Sequence, residues 1–177
     1  AEPKYLNTAD TLVFNKGNGL FAMNFAKNVG GDQILLAEGY MDVISLHQAG
    51  FQTAVASLGT ALTPEQARLI ARYAKEAVIC YDADGAGQRA TARAIPILKN
   101  AGLQVRVLTI PEGKDPDEFI KTKGPERFKF ILEESGNDVD YRLQKLRGQF
   151  RVSTPDGRIG FLNAAMELLA GLENPIE

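Results

Sequence analysis

The sequence predicts an α/β fold: an α/β/α domain with a four-stranded parallel sheet, followed by a helical subdomain. Three observations lead there. Four apolar runs of strand length occur, ILLA (34–37), TAVAS (53–57), AVICY (77–81) and VRVLTI (105–110). Helical periodicity follows each of the first three, around 41–49, 64–75 and 88–100. After Pro111 the strand-like runs stop and only helical segments follow. Continuous apolar strands separated by helices mean a parallel sheet covered on both faces.

The elements follow in order. A polar opening with Pro3 and Asn7 leads to Phe14 and Lys16-Gly17-Asn18-Gly19. Leu20, Phe21, Met23 and Phe25 give a short helical pattern that Gly30-Gly31 closes. Thr63-Pro64-Glu65-Gln66 is a capping box with proline at the first helical position, so it starts the helix after the second strand. Past Pro111, helices are expected near 116–122, 126–134, 138–148 and 157–172, the last entered from Thr154-Pro155-Asp156-Gly157. The domain boundaries read 1–31, 32–122 and 123–177.

Composition narrows the function less than the motifs do. The chain has 177 residues, 45% of them apolar and 24% charged, with a net charge of −2, so its bulk balance announces no nucleic-acid binder. With one cysteine and one histidine it can form no internal disulfide, nor a zinc site without carboxylates. No run approaches a membrane span and no signal pattern opens the chain, which reads as soluble and cytoplasmic. The chain begins with Ala1 and ends soon after a helical pattern; both ends read as cuts in a longer protein.

Ligands of open parallel sheets sit beyond the carboxyl ends of the strands. Acidic residues fall at those ends: Glu38 after the first strand, Asp82 and Asp84 after the third, Asp115 and Asp117 after the fourth. Asp42 lies one helical turn past Glu38. Residues i and i+2 of an extended segment face the same way, so Asp82 and Asp84 can aim at one point. Two carboxylates about 4 Å apart repel by roughly 1 kcal/mol in water and about 4 kcal/mol at an effective dielectric near 20. A hard divalent cation such as Mg²⁺ removes that penalty, and Gly85 and Gly87 let the backbone turn sharply beside it. Aspartates at strand ends also cap the next helix or form turns, and that reading stands beside the metal one.

The motifs themselves carry a resemblance. EGYMDV (38–43), ASLGTALT (56–63), YDADGAGQRA (81–90) and EGKDPDEF (112–119) resemble, in order and spacing, the TOPRIM-containing catalytic core of bacterial DnaG-type primases. PKYLN (3–7) and FNKG (14–17) are similar to the segment just upstream in that family. The resemblance implies a TOPRIM-like domain over 32–122, after the end of a basic subdomain (1–31) and before a helical subdomain (123–177). The implied activity is synthesis of short RNA primers for DNA replication by metal-dependent nucleotidyl transfer.

By matching motif, Glu38, Asp42, Asp82, Asp84, Asp115 and Asp117 are the implied catalytic acids. All of these but Asp42 are implied ligands of Mg²⁺ or Mn²⁺, and Lys4 and Lys16 are implied contacts to nucleotide or primer phosphates. Zinc belongs only to a module absent from this chain. The implied partners are single-stranded DNA template, ribonucleoside triphosphates and RNA primer, with the replicative helicase met through regions outside this chain. A monomer is expected, with no membrane association. A Glu with Asp-x-Asp alone also suits a TOPRIM nuclease or topoisomerase, or a non-catalytic DNA-repair scaffold.

Four further residue sets carry a reading of their own. Cys80 reads as a small core residue, His47 as a packing or surface histidine, and no tyrosine as a topoisomerase nucleophile. The Ser57-Leu58-Gly59-Thr60 stretch reads either as a plain connection or as a wall of the nucleotide path.

Overall fold

The structure, a computed structural model, describes residues 8–110 and 115–172. The apolar runs form four parallel strands: β1 (Gln33–Ala37), β2 (Ala54–Ala56), β3 (Glu76–Cys80) and β4 (Gln104–Val107). Their order is β2-β1-β3-β4. The four-stranded parallel sheet is as expected; a further two-residue strand, β5 (Gly136–Asn137), was not. Two polar residues carry no apolar period, so nothing in the sequence marked them as strand.

Helices α1 (Met23–Val29), α2 (Tyr40–Gln48), α3 (Pro64–Ala71) and α4 (Gly85–Asn100) alternate with the strands; α5 (Pro116–Lys123) and α6 (Pro125–Glu133) follow them. The chain divides into two compact units between Ser135 and Gly136. The second unit holds α7 (Asp138–Gln149) and α8 (Pro155–Ala170), which pack on each other.

The sheet is buried on both faces, as its runs of Val, Ile, Leu and Ala require. Leu35, Ala37, Val78 and Cys80 join one core cluster with Val43 and Leu46 of α2, Phe119 of α5, and Phe128, Ile131 and Leu132 of α6. Ile34, Leu36, Ala77 and Ile79 alternate with them and so face the other way, where buried Ile70 of α3 and Ile95 and Leu98 of α4 are available to cover them. Phe51 and Phe128 meet edge to face at 4.9 Å in the first cluster.

The register between β1 and β3 positions the site. Leu36 is opposite Ile79 and Ala37 is opposite Cys80, so Glu38 and Tyr81-Asp82 leave the sheet side by side. Among the described residues, no helix is long and apolar enough to cross a membrane.

Candidate functional site

Three helices begin at the carboxyl edge of the sheet, each started by an acidic residue or holding one in its first turn. Asp84 precedes α4, and its Oδ1 accepts from the backbone N–H of Ala86 at 2.8 Å and of Gly87 at 2.7 Å. Asp115 precedes α5 and accepts from the Glu118 N–H at 2.7 Å. Asp42, in the first turn of α2, accepts from the Gly39 N–H at 3.1 Å and from the Asp117 N–H at 3.4 Å. Free N–H groups and the positive end of the helix dipole favour a carboxylate at each place. The capping reading therefore holds for Asp84 and Asp115.

Gly87 is required by packing. A β-carbon there would lie 2.2 Å from the carbonyl oxygen of Asp82, so the first turn of α4 closes directly onto the backbone leaving β3.

Asp82 differs from its neighbours. Its Oδ1 is buried and has no hydrogen-bond partner. Burial first, and then the charges of Glu38, Asp42, Asp115 and Asp84, push its carboxyl up to about 7. Asp42 is pushed up to about 6, by burial first and then by Asp115, with the N–H bonds from Asp117 and Gly39 opposing the rise. All six expected acids thus act on one another around Asp82 and Asp42, and Glu38 stands exposed beside them.

Asp117 is in addition tied on both oxygens. Ser45 of α2 donates its hydroxyl to one, and Lys121, one turn on in α5, pairs with the other at 2.7 Å. These bonds and the Asp42–Asp117 contact join the start of α2 to the start of α5. Ser45 and Lys121 were missed in the sequence; the i,i+4 spacing of Asp117 and Lys121 was the available signal.

Among the described residues, no three His, Cys, Asp or Glu side chains are gathered closely enough to hold a metal ion as they stand. The donor set is nevertheless one that suits a hard divalent cation: oxygen ligands only, in excess negative charge, with one buried oxygen left unbonded.

Beside Glu38 lies a cleft of about 380 Å³, lined also by Tyr81, by Ser57, Gly59 and Thr60 of the β2–α3 connection, and by Arg93. Lys16 lies in a turn whose backbone is bonded to the start of α3; its N–H donates to Asp10 Oδ1 at 3.1 Å. Lys4 lies outside the described residues.

The other candidates pack. His47 Nε2 is 2.9 Å from the Ala54 carbonyl, and its ring meets Phe25 edge-on at 6.1 Å. Cys80 is fully buried, and burial, then the Asp42 charge, push its thiol up to about 12. Tyr81 is buried, with its phenol pushed up by burial and by Glu38.

Comparison with known proteins bears on the family and the fold. The "Toprim-like" family model matches residues 35–120, and the "DnaB-helicase binding domain of primase" model matches residues 139–177. That second match falls inside this chain, whereas the helicase contact was expected only through regions outside it. A DNA primase of Clostridium acetobutylicum is 46% identical over 178 residues, which cover 100% of this chain and 30% of that protein.

Two solved structures are also similar. A DnaG primase catalytic domain bound to single-stranded DNA matches with a TM-score of 0.77 and 36% identity, covering 95% of this chain and 55% of the other. The RNA polymerase domain of Mycobacterium tuberculosis primase DnaG, in complex with double-stranded DNA, matches with a TM-score of 0.88 and 27% identity, covering 99% and 58%. This chain spans about a third or less of the length of the curated relatives it matches. With the acidic edge, the sheet order and both family models in agreement, the chain belongs to the DnaG-type DNA primases, of which it is a segment.

Proposed function

We propose that this segment carries the nucleotidyl-transfer centre of a primase, which makes short RNA primers on a single-stranded DNA template from ribonucleoside triphosphates. The observation that carries the reading is the unbonded, buried Asp82 oxygen, on whose carboxyl four further carboxylates act through their charge. Such an arrangement is costly for the protein alone and becomes favourable when a cation shares it. Glu38, Asp82, Asp84, Asp115 and Asp117 would hold Mg²⁺ or Mn²⁺, with Asp42 as a sixth acidic partner. The chemistry supplied by bound divalent ions is activation of the primer 3′-hydroxyl and neutralisation of the leaving pyrophosphate.

The remaining work belongs to the chain's own residues. The capping bonds of Asp84 and Asp115 fix where their carboxylates stand before any ligand arrives. Asp42, Ser45 and Lys121 hold Asp117 between α2 and α5. Lys16, and Lys4 with it, would balance triphosphate charge as point charges. No side-chain nucleophile is needed, which suits the buried, unreactive Cys80 and the packed His47.

Around this centre we read residues 1–31 as the end of an upstream basic subdomain, 32–122 as the Toprim domain and 123–177 as a helical subdomain. The match over 139–177 supports contact with a replicative helicase through that last part. The protein would act in the cytoplasm as a monomer.

The test is Asp82→Asn in the longer primase that carries this segment, supplied with template, ribonucleotides and Mg²⁺. Primer synthesis should fall by at least about a hundredfold, the scale of losing a group that stabilises transition-state charge, with cooperative unfolding retained. Near-normal synthesis ends the metal-ligand assignment, and cleavage of the DNA in place of RNA synthesis favours a nuclease reading.

A further inference from the structure

We infer that Gln66 is a positioning residue for the nucleotide site, holding Lys16 against the wall of the Glu38 cleft; the inference rests on the proposed phosphate contact of Lys16. Gln66 is fully buried, although it is a polar residue on the first turn of α3. Its amide is completely used. Oε1 accepts from the Thr63 N–H at 3.0 Å, while Nε2 donates to the carbonyl of Lys16 at 2.9 Å and to that of Gly19 at 2.8 Å. Thr63 adds a bond from its hydroxyl to the carbonyl of Gly17 at 2.6 Å.

The capping box that starts α3 is therefore also the clamp for the 16–19 turn. A helix cap needs only the Thr63 hydroxyl and the Gln66 oxygen. The two amide protons do something else: they bond the carbonyls of two half-buried residues of the turn. The turn's N–H groups are fixed from its other side, Lys16 on Asp10 and Gly17 on Asn15.

The clamp also sets the turn against the candidate site. A β-carbon at Gly19 would lie 3.5 Å from Leu58. Leu58 belongs to the β2–α3 connection, whose Ser57, Gly59 and Thr60 line the cleft with Glu38. Two residues beyond Gly19, Phe21 bridges to Ala56 at the end of β2. Lys16 thus leaves from a backbone bonded on both sides, three residues before the glycine that meets Leu58. A flexible ammonium on a fixed base loses less entropy on meeting a phosphate than one on a mobile loop.

The experiment titrates Mg–ATP into this chain and into Lys16→Ala, Gln66→Leu and the double variant, with hydrogen exchange on each. Leucine keeps the volume and removes all three amide bonds; Gln66→Glu, which cannot donate to the two carbonyls, should behave like it. Exchange at residues 16–19 should quicken in Gln66→Leu while β1 and β3 stay protected. Affinity should fall about five- to tenfold, the scale of losing one ordinary hydrogen bond. The double variant should bind no more weakly than Lys16→Ala, because Gln66 acts through Lys16.

Wild-type affinity in a folded Gln66→Leu, or additive losses in the double variant, overturns the inference while leaving the Lys16 contact standing. Unchanged affinity in Lys16→Ala, or no affinity in the wild type, overturns the phosphate contact and the positioning role with it. If Gln66→Leu loses protection at β1 and β3, Thr63→Val carries the same comparison by removing the Gly17 bond together with the cap bond from the Gln66 N–H.

Discussion

Asp82 is the residue at which the charge problem concentrates, and its consequence for stability can be worked out in sign. Its carboxyl stands at about 7 and that of Asp42 at about 6, both above the ordinary 3.8. The folded chain therefore holds protons that the unfolded chain has released between roughly pH 4 and 7, and stability falls as pH rises through that window. In metal-free chain this contribution is present near pH 4 and lost by about pH 7 to 8. Asp82→Asn keeps the volume and removes the charge, so at pH 8 without metal it should raise the melting temperature by about 2–4 °C, the shift that roughly 1 kcal/mol produces at this size. Millimolar Mg²⁺ should stabilise the wild type more than the variant. Equal melting of both at pH 8 would remove Asp82 as the site of strain. The sequence could single out the six candidate acids because each sits just past a strand or in the first turn of the helix that follows one. It did not show which carboxylates are tied up. Asp84 and Asp115 spend an oxygen on helix caps and Asp117 is paired, while Asp82 keeps one unbonded, and side-chain rotation of that kind leaves no mark in spacing.

Each strand and helix of the alternating unit was readable from its period, and the differences lie at the ends. Helix α4 begins at Gly85, three residues before the apolar pattern, because Asp84 caps a first turn made of Gly85, Ala86 and Gly87. Glycines read as a loop in sequence, yet here Gly87 is what lets the helix start. Strand β4 stops at Val107, and its central Arg106 is no exposed charge. The guanidinium donates to the carbonyls of Leu132 and Ser135 at the end of α6 and pairs with Glu76. A lone arginine in an apolar run gave no hint of a partner 26 residues on. The two glycines offer a direct test of this first turn. A β-carbon at position 87 meets Asp82 backbone at 2.2 Å, whereas one at 85 meets only the Arg89 side chain at 3.4 Å. Gly87→Ala should cost about 1–3 kcal/mol, because the backbone must move to admit it, and should also weaken Mn²⁺ binding by shifting Asp82. Gly85→Ala should be neutral, or stabilise by up to about 1 kcal/mol, through the unfolded chain. Urea denaturation and Mn²⁺ titration of the pair read both effects, and equal stability of the two variants would show that α4 has slack at its start.

At the scale of the whole chain, the order β2-β1-β3-β4 puts β1 beside β3 and so Glu38 beside Asp82, the arrangement that a site shared by their carboxylates would demand. The two-residue β5 answers to no such demand and has no apolar pattern. The charge balance leads to the last expected outcome. Twenty basic residues face twenty-two acidic ones, and six of the acids are the candidate site itself. Affinity for a single strand grows with the number of phosphates that basic side chains neutralise, and each one steepens the salt dependence. A chain with no basic excess and an acidic centre should hold a 20-nucleotide single strand no more tightly than about 10⁻⁴ M at roughly 0.15 M salt. Its salt slope should be shallow, on the order of −1 to −3. Millimolar Mn²⁺ should tighten the binding, because cations at the carboxylates convert a repulsive centre into one a phosphate can approach. Asp82→Asn should blunt that gain without changing the metal-free affinity by more than about twofold, one backbone charge among many. Fluorescence anisotropy over a salt series, with and without Mn²⁺, measures all three quantities. Micromolar binding without metal and with a steep slope would mean that a basic track within these 177 residues already suffices for the template. The acidic edge would then be insulated from the strand's path and would not lie on it.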